Sequence, residues 1–138
     1  MKKEHALFLA LTLLGQNAKA SVLINELMPR NVSYMMNEKY DFAGWVEFYN
    51  ASSDSFNLSD LLVSDGSLSW QCEMDSMVDA ESYFVLYFDE LGETNHVNFK
   101  LSPEGGSLSL YDTQSGTLMD AVEYPETYRN ISYGLLIP

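Results

Sequence analysis

The sequence predicts an all-β protein of the sandwich or barrel type. After residue 20 the chain consists of short runs rich in β-branched and aromatic residues, separated by turn clusters such as "SDGS", "ELGETN" and "SPEGG". Polar and apolar residues alternate within several runs, as they do in a strand with one buried face. No stretch after residue 20 carries apolar residues at helical spacing over a useful length. A single domain built from two covered layers of strands follows from these features.

Nine strands are predicted, at short and regular spacing. In order, they span 22–28, 44–50, 57–65, 68–74, 82–89, 96–102, 106–112, 118–125 and 131–137. Alternation predicts that Leu108 and Leu110 share one face, as do Val46 and Phe48. The run "YFVLYF" does not alternate, which predicts a central strand covered on both sides. The irregular segment 34–44 is predicted to be a connecting loop.

The first 20 residues have the pattern of a secretory signal peptide. Lys2 and Lys3 precede an apolar run over residues 6–14, and Ala18-Lys19-Ala20 fits a cleavage site. The apolar run is too short to span a bilayer. We therefore expect residues 1–20 to be a bacterial-type signal peptide and residues 21–138 to form the mature domain, in the periplasm, at the cell surface or outside the cell.

Charge limits the partners of this domain. The formal net charge of the whole chain is −13, and residues 21–138 carry 19 acidic side chains. Nucleic acid and anionic lipid are excluded as partners, because both require clustered Lys and Arg. The basic residues that remain after predicted cleavage are Arg30, Lys39, Lys100 and Arg129.

Glu47 lies in the middle of the otherwise aromatic and apolar run "GWVEFYN". Alternation places it on the same face as Trp45 and Tyr49. Glycoside hydrolysis would need a second carboxylate about 5–9 Å away, and Glu26 and Asp120 are the candidates. A glutamate flanked by aromatic rings on a strand more often bonds to a neighbouring strand. We therefore interpret Glu47 as a framework residue and not as a catalytic one.

The other reactive residue types form no catalytic or metal-binding pattern. His96 is the only histidine after the predicted leader and is expected to be partly buried and bonded to backbone. Cys72 is the only cysteine, so no intrachain disulfide is possible, and its alternation with Trp70 and Met74 predicts burial. No catalytic, cofactor or metal site is predicted, and no cofactor is expected. Calcium stays open because acids fall at strand ends, although without EF-hand spacing: Asp60, Asp65, Asp89 and Glu90.

Two further sets of residues could mark a surface. Four Asn-x-Ser tripeptides, beginning at Asn31, Asn50, Asn57 and Asn130, match the glycosylation pattern but are interpreted as turn chemistry. Aromatic residues near the irregular loop are typical of protein interfaces and of sugar-stacking platforms. The predicted interaction patch consists of Trp45, Glu47, Tyr49, Tyr34 and Tyr40.

The order of short motifs resembles a known family. "INELMPRN", "WVEFYN", "NLS", "HVNFKLSPEGG" and "SYG" follow one another as in bacterial lamin-tail domains, which are immunoglobulin-like β-sandwiches. The resemblance runs from Val22 to about Leu136 and implies that Glu47, Asn50, His96 and their neighbours are framework positions. The chain departs from the family in three places. The loop between "SDG" and Trp70 is very short, Asp79-Ala80-Glu81 stands in place of Ala-Gly-Gly, and Leu135 follows "SYG".

The resemblance implies an immunoglobulin-like β-sandwich that acts as a non-catalytic, exported interaction or scaffolding module. Its partner would be a protein or a cell-surface polymer. Two alternatives stay open: a carbohydrate-binding or calcium-dependent adhesive domain, and the N-terminal accessory domain of a truncated secreted enzyme. The second alternative arises because bacterial domains of this type usually accompany another domain. The oligomeric state is not predicted.

Overall fold

The computed structural model describes residues 22–134 and the backbone of residues 3–5. The predicted signal peptide otherwise lies outside the described residues, as does the end of the ninth predicted strand. Within the described ranges the chain is built from strands, with a single 3₁₀ turn at Leu58–Asp60. The predicted all-β class is confirmed, and the sheets form an immunoglobulin-like β-sandwich.

The larger sheet has six strands in the order β1-β12-β2-β3-β8-β9. Its neighbours pair antiparallel, except that β1 is parallel to β12 and β9 is parallel to β8. The strands are β1 (Lys3–His5), β2 (Val22–Met28), β3 (Gly44–Asn50), β8 (Tyr83–Phe88), β9 (His96–Val97) and β12 (Ser132–Gly134). The predicted strands at 22–28 and 44–50 are therefore correct to the residue.

The second sheet has four antiparallel strands in the order β11-β10-β5-β6, and a two-stranded ribbon joins β4 to β7. The sheet's strands are β5 (Leu61–Ser64), β6 (Ser69–Gln71), β10 (Gly106–Asp112) and β11 (Thr117–Tyr124); the ribbon consists of β4 (Phe56–Asn57) and β7 (Met77–Val78). The β5–β6 and β10–β11 hairpins turn at "DGSL" and "TQSG", as the turn clusters predict.

The core lies between the two sheets, where alternate side chains of each sheet meet. Val46 and Phe48 of β3 are fully buried and face Leu108 and Leu110 of the second sheet's strand β10, which are also fully buried. Cys72 is buried among these residues, as alternation predicts. The buried apolar side chains form one continuous cluster, as expected of a single domain.

Four predicted strands are wrong by more than one residue at an end or in their surroundings. The segment 68–74 is a strand only over Ser69–Gln71. The segment 57–65 is interrupted because the Asn57 side chain accepts hydrogen bonds from Ser59 and starts the 3₁₀ turn. The segment 96–102 is a strand only over His96–Val97. Strand β8 is not covered on both sides: its outer residues Tyr83 and Val85 remain exposed or half-exposed. At the sheet edge, β9 pairs with β8 only over Tyr87 and Phe88.

Candidate functional site

Glu47 lies on the outer face of the larger sheet, opposite the core. It is half-buried, and its Oε1 accepts a hydrogen bond of 2.7 Å from Nδ2 of Asn25 on β2. Its cross-strand neighbour is Glu26, so the two side chains lie next to each other on one sheet face. Neither residue lines the cleft described below. The hydrogen bond between Asn25 and Glu47 joins β2 to β3, which is the kind of contact that the framework interpretation of Glu47 predicts.

Asp120, the other carboxylate considered beside Glu47, lies on β11 and connects the two sheets. A β-bulge between Ile24 and Glu26 shifts the register of β2, and the backbone N–H of Ile24 donates to Asp120 Oδ2 at 2.8 Å. Burial raises the pKa of Asp120, while hydrogen bonds from the backbone of Ile24 and Ala121 oppose that shift. Asp120 therefore satisfies a buried donor that the bulge would leave without a partner.

The predicted aromatic patch is wrong at Trp45. This side chain is on the outer face, as alternation predicts, but only 4% of it is exposed. The segment 29–43, here called the β2–β3 loop, folds over this end of the sheet, and Tyr34 stacks on Trp45 with ring centroids 6.1 Å apart. Tyr49 is half-buried beside Tyr83 on another part of the same face. The five predicted residues thus do not form one exposed patch.

The β2–β3 loop itself presents the apolar surface. Of the ten exposed large hydrophobic residues described, five lie within eleven consecutive positions of this loop, and Tyr40 is 85% exposed. Exposed apolar groups concentrated in one loop are typical of interaction sites, whereas scattered ones are ordinary. The five are Val32, Tyr34, Met36, Tyr40 and Phe42.

Asparagine side chains hold the β2–β3 loop in shape. Nδ2 of buried Asn31 donates to the carbonyls of Met35 and Ala43 at 2.6 and 2.9 Å, and its Oδ1 accepts from the backbone N–H groups of Tyr34 and Met35. Buried Asn37 closes a turn by accepting from the N–H groups of Lys39 and Asp41. These contacts fix both halves of the loop from inside.

Hydrogen bonds also join the β2–β3 loop to Asn130, which lies just before β12. The Oδ1 atom of Asn130 accepts from the N–H groups of Val32 and Ser33 at 2.9 and 3.0 Å, and its own N–H donates to the carbonyl of Arg30. Asn130 adopts a positive φ of 58°, which asparagine tolerates better than most residues. A long-range tether therefore fixes the start of the loop.

The remaining Asn-x-Ser sites also serve as turn chemistry. Fully buried Asn50 donates from Nδ2 to the carbonyls of Asp54, Val78 and Asp79, and Asn57 caps the 3₁₀ turn. Each of the four predicted asparagines makes hydrogen bonds to backbone groups nearby or across the fold. The interpretation of these tripeptides as turn chemistry is confirmed.

His96 ties the loop to the larger sheet through two carboxylates. The ring is fully buried and stacks on Tyr87, its Nδ1 lies 2.5 Å from Oδ2 of Asp89, and its Nε2 contacts Oε1 of Glu38 in the β2–β3 loop. The predicted partial burial and side-chain bond to backbone are therefore wrong. With an acceptor at each ring nitrogen, the imidazolium form can donate to both.

This arrangement sets the direction of two pKa shifts. Burial acts to lower the pKa of His96, but the hydrogen bonds and charges of Glu38 and Asp89 together outweigh it, so the pKa is raised above 6.5. The hydrogen bond from His96 lowers the pKa of Glu38 below 4.5. The His96 contribution to stability is complete below pH 6.5 and is lost as the pH rises through the raised pKa. The Glu38 contribution is complete above pH 4.5 and is lost as the pH falls through the lowered pKa.

A cleft of about 620 Å³ opens beside the two ends of the β2–β3 loop. Both loop ends, the end of β8 and residues 100–103 line it. Three of the four basic residues in 22–134 lie in this lining: Arg30, Lys100 and Arg129. Among residues 22–134, positive charge is thus unevenly distributed, because three of the four cations line this one cleft.

The acidic residues considered for calcium have separate partners. Asp89 contacts His96, Asp60 accepts from Gln114, Asp65 caps its own turn, and Glu90 lies 3.5 Å from Lys100. Within residues 22–134, no group of three or more His, Cys, Asp or Glu side chains is arranged to hold a metal ion.

The carbonyl of Thr94 lies 3.7 Å from the Cys72 sulfur, and burial raises the pKa of this thiol.

Sequence reasoning missed the residues that the folded loop brings together. Glu38 and His96 are 58 positions apart, and no periodicity relates a loop residue to a short edge strand. The grouping of Arg30, Lys100 and Arg129 was equally hidden. The sequence offered one indication of this cluster: basic residues are so few that the position of each one is informative.

The fold and the site define an immunoglobulin-like module whose distinctive surface is a loop. A family model for the Lamin Tail Domain matches residues 15–126, which is most of the chain and begins within the predicted leader. The chain belongs to the lamin tail domain family, an immunoglobulin-like and non-catalytic family of domains. A search among curated proteins finds no match. In the part of the chain that the structure describes, no helix is long and apolar enough to cross a membrane.

Proposed function

We propose that this protein is an exported, non-catalytic interaction module that binds a protein or a cell-surface polymer through its β2–β3 loop. The observation that carries the proposal is the concentration of half of the described exposed large hydrophobic residues in this one loop. Tyrosine and methionine are enriched at protein interfaces, because each offers a large contact area.

The rigidity of the loop supports the same proposal. Binding is weakened by the entropy lost when a mobile segment becomes ordered, and a loop already held in place avoids most of that loss. Asn31, Asn37 and Asn130 supply the internal hydrogen bonds, and His96 supplies a buried anchor through Glu38. The exposed side chains are therefore presented on a fixed backbone.

The proposal is tested with the folded protein, labelled and applied to intact cells or isolated envelopes of the source organism. A Tyr34→Ser, Met36→Ser and Tyr40→Ser triple variant should bind at least about tenfold more weakly, since a few aromatic anchors usually dominate an interface. The matched control is Leu68→Ser, which removes an exposed apolar side chain from the β5–β6 turn on the other sheet and should bind as the wild type does. Equal binding by the triple variant and the wild type would refute the proposal.

A carbohydrate-binding role has one observation in its favour. The ring of Tyr40 is 85% exposed and could stack on a sugar face. A glycan array separates the two roles: a defined sugar ligand lost on Tyr40→Ser would favour carbohydrate binding, and an array with no ligand would favour a protein partner. The role of an accessory domain in a larger enzyme has no structural observation of its own.

A further inference from the structure

The cleft beside the β2–β3 loop concentrates positive charge in a strongly acidic protein. Arg30, Lys100 and Arg129 line it, while the fourth described cation, Lys39, is paired with Glu93 at 2.8 Å. A volume of about 620 Å³ lies in the range of sites that take small ligands or short segments of a partner. An acidic surface would repel an anionic partner everywhere except at such a place.

The three cations are only weakly engaged within the protein. Arg129 is exposed and has no ion pair within 4.0 Å among residues 22–134. Lys100 approaches Glu90 at 3.5 Å, with both side chains more than 60% exposed. Exposed pairs of this kind contribute little to stability, so an incoming anion can replace them.

Arg30 adds an independent observation. Its Nε is buried but has no hydrogen-bond partner, and its Nη2 lies 4.0 Å from Glu104, a distance too long for a hydrogen bond. Buried donors in folded proteins nearly always have an acceptor. A carboxylate that draws the guanidinium towards the cleft would satisfy Nε and one Nη together, which is the two-point geometry that arginine favours.

Two carboxylates also line the cleft, and they limit where an anion can sit. Asp89 is held by His96 and by the backbone N–H of Leu91, so its charge is locally compensated. Asp41 is exposed at the loop end of the cleft. The lining thus holds three cations against two carboxylates, one of which is locally compensated, and this excess of positive charge suits a negative group.

We propose that this cleft binds a carboxylate side chain within an acidic peptide segment of the partner protein, an inference that rests on the proposed binding function. A peptide is favoured over an acidic polysaccharide because much of the lining is apolar, whereas a sugar chain needs polar partners for its many hydroxyl groups. The apolar lining includes Pro29, Val32, Phe42, Ala43, Leu101 and Pro103. Val32 and Phe42 also belong to the exposed set of the β2–β3 loop, so cleft and loop form one continuous surface.

The test measures fluorescence anisotropy of a labelled peptide of alternating Glu and Leu, titrated with the whole protein at low salt. A Gln-Leu peptide of the same length and a polygalacturonate oligomer are the comparison probes. The Glu-Leu peptide should bind, and the Arg129→Gln and Lys100→Gln variants should each weaken its binding about tenfold or more, as expected for a lost charged hydrogen bond. Lys39→Gln, a cation outside the cleft, should change binding less than about twofold.

Each contrary result has a distinct meaning. Equal binding of the Glu-Leu and Gln-Leu peptides, or equal effects of Arg129→Gln and Lys39→Gln, would overturn the cleft as the anion site. Binding of polygalacturonate alone would overturn the peptide as its occupant. If the Glu-Leu peptide does not bind while the triple loop variant still loses envelope binding, the module function stands and only the cleft inference falls.

Discussion

The Asn31→Ala substitution tests whether the β2–β3 loop is held from inside. The change removes hydrogen bonds to four backbone groups: the carbonyls of Met35 and Ala43 and the N–H groups of Tyr34 and Met35. The Ala43 contact is buried, and leaving such a group without a partner costs about 1–3 kcal/mol. The other three contacts are part-buried, and each contributes about 0.5 kcal/mol.

The free energy of unfolding should therefore fall by about 3 kcal/mol, which corresponds to a decrease in melting temperature on the order of 10 °C. Urea denaturation followed by tryptophan fluorescence measures it, because Trp45 lies under the loop. Asn31→Asp loses the donors and sets a buried carboxylate oxygen against the carbonyls of Met35 and Ala43, so it should cost at least as much as Asn31→Ala. The control is Asn98→Ala at an exposed position. If Asn31→Ala and Asn98→Ala both cost less than about 0.5 kcal/mol, the loop is not held by Asn31.

Three further predictions address the framework. Glu47→Ala should lower the free energy of unfolding by about 1–2 kcal/mol because Asn25 loses its acceptor, and Glu47→Gln should cost less; unchanged stability in both variants would contradict the framework role. A pH series of melting temperatures should show stability declining as the pH rises above 6.5, through the raised pKa of His96. Stability should also decline as the pH falls below 4.5, through the lowered pKa of Glu38. His96→Gln should abolish the decline on the alkaline side. Glu81 has a φ of +59°, a backbone region that suits glycine better than glutamate. Glu81→Gly should therefore raise stability by up to about 1 kcal/mol in calorimetry, because the relief of strain outweighs the added chain entropy; a loss would refute the strain argument.

The strands were predictable because their signal is local. Alternation in "SLSLYD" correctly places Leu108 and Leu110 in the core, and turn residues mark the ends of the hairpins. The break at Leu58–Asp60 was missed because the apolar residues of 57–65 continue through it, whereas one asparagine cap decides the backbone. Short-range hydrogen bonds can override a strand pattern without changing the composition of the segment.

The candidate site was predictable only in outline. Alternation put Trp45 on the outer face, but the covering by Tyr34 depends on how an irregular loop folds back, which no periodicity encodes. The contact between Glu38 and His96 joins residues 58 positions apart. Tyr40 entered the predicted patch only as an aromatic residue near the irregular loop, and its 85% exposure follows from how that loop folds.

The central claim is that the β2–β3 loop is an ordered binding surface in the free protein. Backbone ¹⁵N relaxation measures this directly through the order parameters of the amides in 31–43. We predict values close to those of the flanking strands β2 and β3, near 0.85, because buried asparagines and His96 restrain the segment. Order parameters below about 0.6 across the loop would contradict the account.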